Sequence, residues 1–179
     1  MLTLLVVGAC SRPAPLPVIG TVADFALTDQ SGRPFGSAEL AGKVWVANFI
    51  FTRCTTVCPI FTEKMAKLEE QADPGLRFVS FSVDPEYDTP PILLAYARAR
   101  HARTDRWSFV TGPIDAVKKT VVDSLKVTMD KDPQATDPGM MIMHGTYFVL
   151  VDGAMRIRGI YPMSDETSGK RILADAARI

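Results

Sequence analysis

The sequence predicts an α/β fold whose sheet carries an antiparallel edge. Two observations lead there. Short apolar runs alternate with segments of helical period, and near the C-terminus two strand patterns follow each other across a tight turn before a last helix. A third observation locates the chemistry. Cys54, Cys58 and Pro59 sit where the longest strand-like apolar run hands over to a helical pattern.

In chain order, Val22 to Thr28 alternates apolar and polar residues, Asp29-Gln30-Ser31-Gly32 forms a turn and Arg33-Pro34-Phe35 leads out, which predicts a β-hairpin. Val44 to Phe51 is apolar but for Asn48 and suits a central strand buried on both faces. Trp45 and Asn48 there read as packing and polar satisfaction. Pro59 fits the start of a helix, where its missing N–H costs nothing, and Phe61, Met65, Leu68 and Ala72 follow at helical spacing. Leu76 to Val83 is a second buried strand, and Thr89-Pro90 opens a helix with Leu93, Leu94 and Ala97 on its apolar side. Trp107 to Val110 reads as a strand, Ile114 to Ser124 as a helix, and the Asp- and Pro-rich Lys131 to Gly139 as a loop. Thr146 to Val151 and Arg156 to Tyr161 are strands joined at Asp152-Gly153, and Asp165 to Ala177 is the closing helix.

The chain has 179 residues, with 20 Lys and Arg against 20 Asp and Glu. That suits one domain with an ordinary core. The balance of charge gives no basic surplus for nucleic acid and no acidic tail. No stretch approaches the roughly 20 apolar residues of a spanning helix. Residues 1–9 are uncharged and almost wholly apolar and end Val7-Gly8-Ala9 before Cys10. Small residues before a cysteine match a lipoprotein signal peptide with Cys10 as the lipid-bearing residue, although no basic residue precedes the apolar run. Residues 10–20 then form a Pro-rich tether and residues 21–179 the domain. With Cys10 acylated, two thiols remain for chemistry, too few for a disulfide-stapled scaffold.

Cys58 is expected at the helix N-cap, with Cys54 in the loop just before it. A helix N-terminus stabilises a thiolate. Two sulfurs across this turn suit a soft ion such as Cu(I), or can close a disulfide. They under-coordinate zinc, which takes four ligands in structural sites. The chain has two histidines. His101, in the basic run Arg98 to Arg103, reads as a solvated helix-end residue. His144 follows a loop and precedes a strand, where a lone histidine is more often structural than a ligand. Arg53 either stabilises a thiolate or points to solvent. Met140 and Met143 read as loop or core packing.

The segment Cys54-Thr55-Thr56-Val57-Cys58-Pro59 resembles the Cys-x-x-x-Cys-Pro signature of the Sco/SenC family of copper proteins. Ser82-Val83-Asp84-Pro85-Glu86 with Asp88-Thr89-Pro90 resembles that family's second signature, and Phe25 to Gly32 its N-terminal hairpin. The resemblance implies a thioredoxin-like three-layer sandwich with a central mixed sheet, an added N-terminal β-hairpin and an insertion. It implies copper, as Cu(I) or Cu(II), on Cys54, Cys58 and His144, with Asp84 near the metal. It implies a metallochaperone without turnover, acting on the copper-bearing subunit of cytochrome c oxidase. A separate periplasmic copper carrier would be a further partner. A lipid on Cys10 would hold the domain in the bacterial cell envelope, outside the cytoplasmic membrane. One departure is plain: the family commonly has Asp before the ligand histidine, and here Met143 stands there.

Two other functions compete. A thiol-disulfide oxidoreductase, reducing the cysteines of an apo copper site or of other exported proteins, would need only Cys54 and Cys58 as its catalytic redox pair. A thiol peroxidase would share Thr55-x-x-Cys58, but the Pro expected ahead of that Thr is absent: Phe51 and Thr52 occupy those positions.

Overall fold

The structure, a computed structural model, describes residues 14–55, 57–131, 134–137 and 142–179. The expected apolar run becomes strand β4 (Trp45–Ile50), and all six of its residues are buried. A strand with no exposed position must be covered on both faces, and the remaining elements provide that cover. Before it come β1 (Gly20–Thr21), β2 (Ala26–Asp29), β3 (Pro34–Gly36) and the single turn α1 (Ser37–Leu40). After it come α2 (Cys58–Gln71), β5 (Arg77–Ser82), α3 (Pro90–Ala99), β6 (Trp107–Thr111) and α4 (Ile114–Lys118). The chain closes with β7 (Met129–Lys131), β8 (Ile142–His144), β9 (Tyr147–Val151), β10 (Arg156–Pro162) and α5 (Ser168–Ala176).

Eight strands form one mixed sheet in the order β1-β10-β9-β4-β5-β6-β2-β3. The centre, β4-β5-β6, is parallel. The C-terminal pair β9-β10 adds an antiparallel edge on the β4 side, and the hairpin β2-β3 adds another on the β6 side. Side chains alternate across a strand. Trp45, Ala47 and Phe49 therefore join Val79, Phe81, Val117 and Val121 on one face. Val46 and Ile50 join Met65, Leu68, Phe78, Leu93 and Ile172 on the other. Helices α2, α3 and α5 cover the second face and α4 the first, which makes three layers. This is the thioredoxin-like sandwich with an added N-terminal hairpin and an insertion.

Several elements differ from expectation. Cys58 is the first helical residue and Val57 the N-cap, one position from the expected arrangement. The first strand of the hairpin begins at Ala26 rather than Val22, whose N–H instead reaches Met155 O on the opposite edge. The helix expected over 114–124 is regular only to Lys118. Beyond it the turns widen, and Leu125 N–H reaches back to Thr120 O. The β-branched run Thr120-Val121-Val122 crowds a regular turn. The expected loop at Lys131 begins inside a two-stranded ribbon, in which Met129 faces His144 and Lys131 faces Ile142. Three-residue strands are too short for a period-two signal. At the turn between β9 and β10, Gly153 O accepts from Gly42 N–H at 2.9 Å, and a Cβ on Gly153 would meet Gly42 backbone at 2.8 Å.

Asn48 is the polar member of β4. Its Oδ1 accepts from Ser80 Oγ at 2.6 Å, and Ser80 Oγ accepts from Trp107 Nε1 at 2.8 Å. This chain of hydrogen bonds ties the three parallel strands through a buried hydroxyl. Ser80→Ala leaves both partners unsatisfied in the core. It is expected to cost about 1–3 kcal/mol, measured by urea denaturation. An unchanged midpoint would show the hydroxyl to be dispensable.

Candidate metal centre

Strand β4 delivers the chain to the site. After Ile50, Phe51 stays buried, and the turn is closed by Cys54 N–H donating to Phe51 O at 3.2 Å. Helix α2 starts at Cys58. Its first backbone N–H groups have no partner within the helix, and Cys58 N–H donates to Cys54 Sγ at 3.4 Å. Thr62 Oγ1 donates to Cys58 O at 2.8 Å and contacts Tyr96 Oη, which pins this first turn to α3. Both thiols are buried and no disulfide joins them. Burial pushes the Cys58 thiol far above its ordinary range, with Cys54 beside it adding in the same direction.

His144 stands at the end of β8, whose Ile142 belongs to the same buried cluster as Phe51, Cys54 and Cys58. Its Nε2 stands 3.7 Å from Cys58 Sγ. Its Nδ1 lies 3.2 Å from Gly145 O, and since a carbonyl only accepts, Nδ1 carries the ring proton. The Nε2 lone pair is then directed towards the sulfur. Burial lowers the pKa of the imidazole and keeps it neutral. The ring meets Phe51 edge-on at 5.8 Å. Gly145 permits the return into β9, because a Cβ there would strike Val127 at 2.8 Å.

Around these donors lies a layer of compensated charge. Arg53 turns to Asp84, donating from Nε to Oδ2 at 3.0 Å and also from Nη2, and its guanidinium lies 4.5 Å from the Tyr87 ring centre. Neither bare solvent nor a thiolate is its partner. Asp84 is buried and ion-paired, in the turn expected before Pro85. Asp88 was not singled out in the sequence although it lies in the second signature. It is fully buried and accepts from Thr52 N–H at 3.1 Å, from Thr52 Oγ1 and from Ser82 Oγ at 2.7 Å. Asp88 thus fixes the turn two residues ahead of Cys54. The available signal was a carboxylate just after a strand that ends in Ser82.

Cys54, Cys58 and His144 therefore share one end of the sheet, with Asp84 and Asp88 behind them. Among the described residues no three His, Cys, Asp or Glu side chains are preassembled as a metal site. Met143 is exposed and points to the side of its strand opposite His144. Cys10 and Met140 lie outside the described residues. His101 is exposed at the end of α3, as expected of a solvated helix-end residue.

Residues 17–179 match the family described as SCO1/SenC. This chain belongs to the SCO1/SenC family. Among solved structures, a SCO1/SenC family lipoprotein from Bacillus anthracis is 37% identical, with a TM-score of 0.80 over 90% of this chain and 96% of that one. BsSco, described as having a disulfide switch and as a member of the Sco family of cytochrome c oxidase assembly proteins, is 30% identical, with a TM-score of 0.80 over 93% and 96% of the two chains. Copper-bound ScoI from Bradyrhizobium japonicum is 25% identical, with a TM-score of 0.70 over 89% and 99%.

Asp88 carries a pH prediction. Burial raises its pKa above the ordinary carboxylate value, more than its hydrogen bonds lower it. The folded state therefore holds the proton more tightly than the unfolded chain. Stability attributable to this group falls as pH rises from about 4 through the raised value. Asp88→Asn removes that dependence. Its urea midpoint is expected to gain on the native protein between about pH 4 and pH 7. A constant difference across that range would show that Asp88 is not shifted.

Proposed function

We propose that this SCO1/SenC protein binds copper through Cys54, Cys58 and His144 and delivers it to the copper-bearing subunit of a cytochrome c oxidase. The observation that carries the reading is the 3.7 Å approach of Cys58 Sγ and His144 Nε2. For sulfur and nitrogen bound to one first-row metal at about 2.3 and 2.0 Å, a tetrahedral or trigonal angle separates the donors by about 3.5–3.7 Å. Cys54 Sγ, beside the Cys58 amide, supplies the third donor. Two sulfurs and one imidazole suit both Cu(I) and Cu(II). A neutral histidine is ready to bind without losing a proton. Copper bound to the Bradyrhizobium japonicum relative, and the assembly role named for BsSco, support the same reading.

Asp84 sits behind the site, neutralised by Arg53, and acts on the turn that carries Cys54 rather than as a ligand. The family's Asp before the histidine would favour Cu(II); Met143 in its place removes that contribution. No described helix is long and apolar enough to cross a membrane, and a lipid on Cys10 supplies attachment on the outer side of the cytoplasmic membrane. The Bacillus anthracis relative is a lipoprotein.

The close pair Cys54 and Cys58 favours a second reading. In thiol-disulfide exchange the two thiols would lose two protons and two electrons to a partner disulfide, which is reduced to two thiols. Burial of Cys58 slows it as a nucleophile, and His144 has no part in that cycle.

An anaerobic titration of the reduced protein with Cu(I) and with Cu(II) separates the two. The copper reading expects one ion per chain, a sulfur-to-metal charge-transfer band for Cu(II), and loss of both in Cys58→Ser. His144→Ala is expected to weaken Cu(II) more than Cu(I), since imidazole is the harder donor. Absence of binding, with a reversible Cys54–Cys58 disulfide, would leave the oxidoreductase reading. Because metal-bound cysteine is a thiolate and Cys58 is held as a thiol, Cu(I) binding near pH 7 should release about one proton or more per ion, measured with an indicator dye in weak buffer. Release near zero would mean that the thiols are not the ligands.

A further inference from the structure

The Pro-rich segment ahead of β1 has the composition of a loose tether, yet residues 14–19 lie against the domain. Ile19 N–H donates to Ile157 O and Val22 N–H to Met155 O, each at 2.8 Å, so the chain is stitched to β10 on both sides of β1. Pro15 and Pro17 have no N–H to offer, and the contacts fall on carbonyls instead. Arg158 donates from Nε to Pro17 O at 3.0 Å and from Nη2 to Leu16 O, while its Nη1 pairs with Asp152 Oδ2 at 2.8 Å. Arg158 is 9% exposed and Asp152 4%. The guanidinium fork is thus oriented by a buried carboxylate and spends its other donors on the segment. Arg178, just after α5, donates to Ala14 O.

The sheet register shows where this happens. Gly20 pairs with Ile157, Ile157 with Val151, and Val151 with Trp45, the first residue of β4. Cys54 follows the last residue of the same strand. Five steps of about 3.3 Å separate the two levels, so the segment is held about 17 Å or more from the cysteine turn, at the other end of the sheet. Two of the exposed large apolar side chains, Val18 (54%) and Ile19 (51%), belong to this segment.

We propose that residues 14–19 are a latch whose clamp is the Arg158–Asp152 pair, and that this end of the domain rests on the bilayer, with Val18 and Ile19 in contact with lipid and Cys54, Cys58 and His144 facing away from it. The bilayer half rests on the reading of Cys10 as the lipid-bearing residue. From Ala14 to Cys10 the chain reaches at most about 14 Å, so a lipid there keeps the latched end close to the membrane. A free tether would let the domain tumble and present the metal site in any direction. The latched one directs it outward, towards a partner.

Hydrogen exchange on the full lipidated chain, in vesicles of phosphatidylethanolamine and phosphatidylglycerol, tests the latch. Amides of Ile19 and Val22 are expected to exchange slowly. Arg158→Lys keeps a charge for Asp152 but loses the fork, and should accelerate them about tenfold or more while β4 is unchanged. Exchange at the rate of an unstructured chain in the native protein overturns the latch. For orientation, tryptophan is placed at Val18 or at Tyr147, which lies at the metal-site end, and quenched by brominated lipid. Quenching at Val18→Trp with none at Tyr147→Trp supports the proposal, and equal quenching of both overturns it. The mass of the Cys10 peptide is measured on the same sample. A missing lipid defeats the anchoring reading and with it the bilayer half, and the exchange rates still decide the latch.

Discussion

Burial of β4 on both faces is the constraint on which the other elements rest. Six consecutive buried residues put the strand in the middle of the sheet, with helices above and below and a partner strand on each side. At its C-terminal end the chain must therefore leave a fully covered strand and start a covered helix within a few residues. Phe51 remains in the core, Cys54 and Cys58 are drawn in with it, and the Cys58 amide turns to Cys54 Sγ. The burial of both sulfurs follows from the strand that precedes them.

Charge near the site is present but neutralised before it reaches the donors. Arg53 and Asp84 satisfy each other under Tyr87, and Asp88 spends its oxygens on Thr52 and Ser82. The two thiols and the imidazole face a largely apolar surrounding, with Phe51 against the histidine ring. In that setting the neutral forms are favoured, as the raised Cys58 and lowered His144 values indicate. On the proposed copper reading, such a setting would discriminate by ligand chemistry: a soft cation compensates the loss of thiol protons through its bonds to sulfur, and a hard, strongly hydrated one does not.

The molecule is also polar in a geometric sense. Donor side chains collect where β4 ends and β9 begins, while the N-terminal segment, the Asp152 turn and the end of α5 collect where β4 begins. The N-terminal segment and the donor side chains are separated by the length of the central strands. The antiparallel pair β9-β10 connects the two ends, since His144 leads into one strand and Arg158 sits on the other.

Most of the secondary structure was legible in the sequence because it rests on local periodicity. The continuous apolar run at Val44 to Phe51, the Asp29 to Gly32 turn and the Pro59 helix start all appear within a residue or two of their expected places. The Cys-x-x-x-Cys-Pro and Asp84-Pro85 motifs likewise announced the family. What the sequence could not decide were features made by partners distant in the chain. A three-residue strand such as β8 exists only because β7 pairs with it. Arg53 was undetermined until Asp84 met it across 31 positions, and nothing local to Asp88 shows that Thr52 folds over it. The Pro-rich segment reads as a tether because nothing local opposes that, and only Arg158 binds it down. The sequence by itself determined the two thiols, their strand-to-helix setting and the central strand. The tertiary structure alone decided that an imidazole 86 positions away stands against one of those thiols, because that approach depends on sheet register and not on any local pattern.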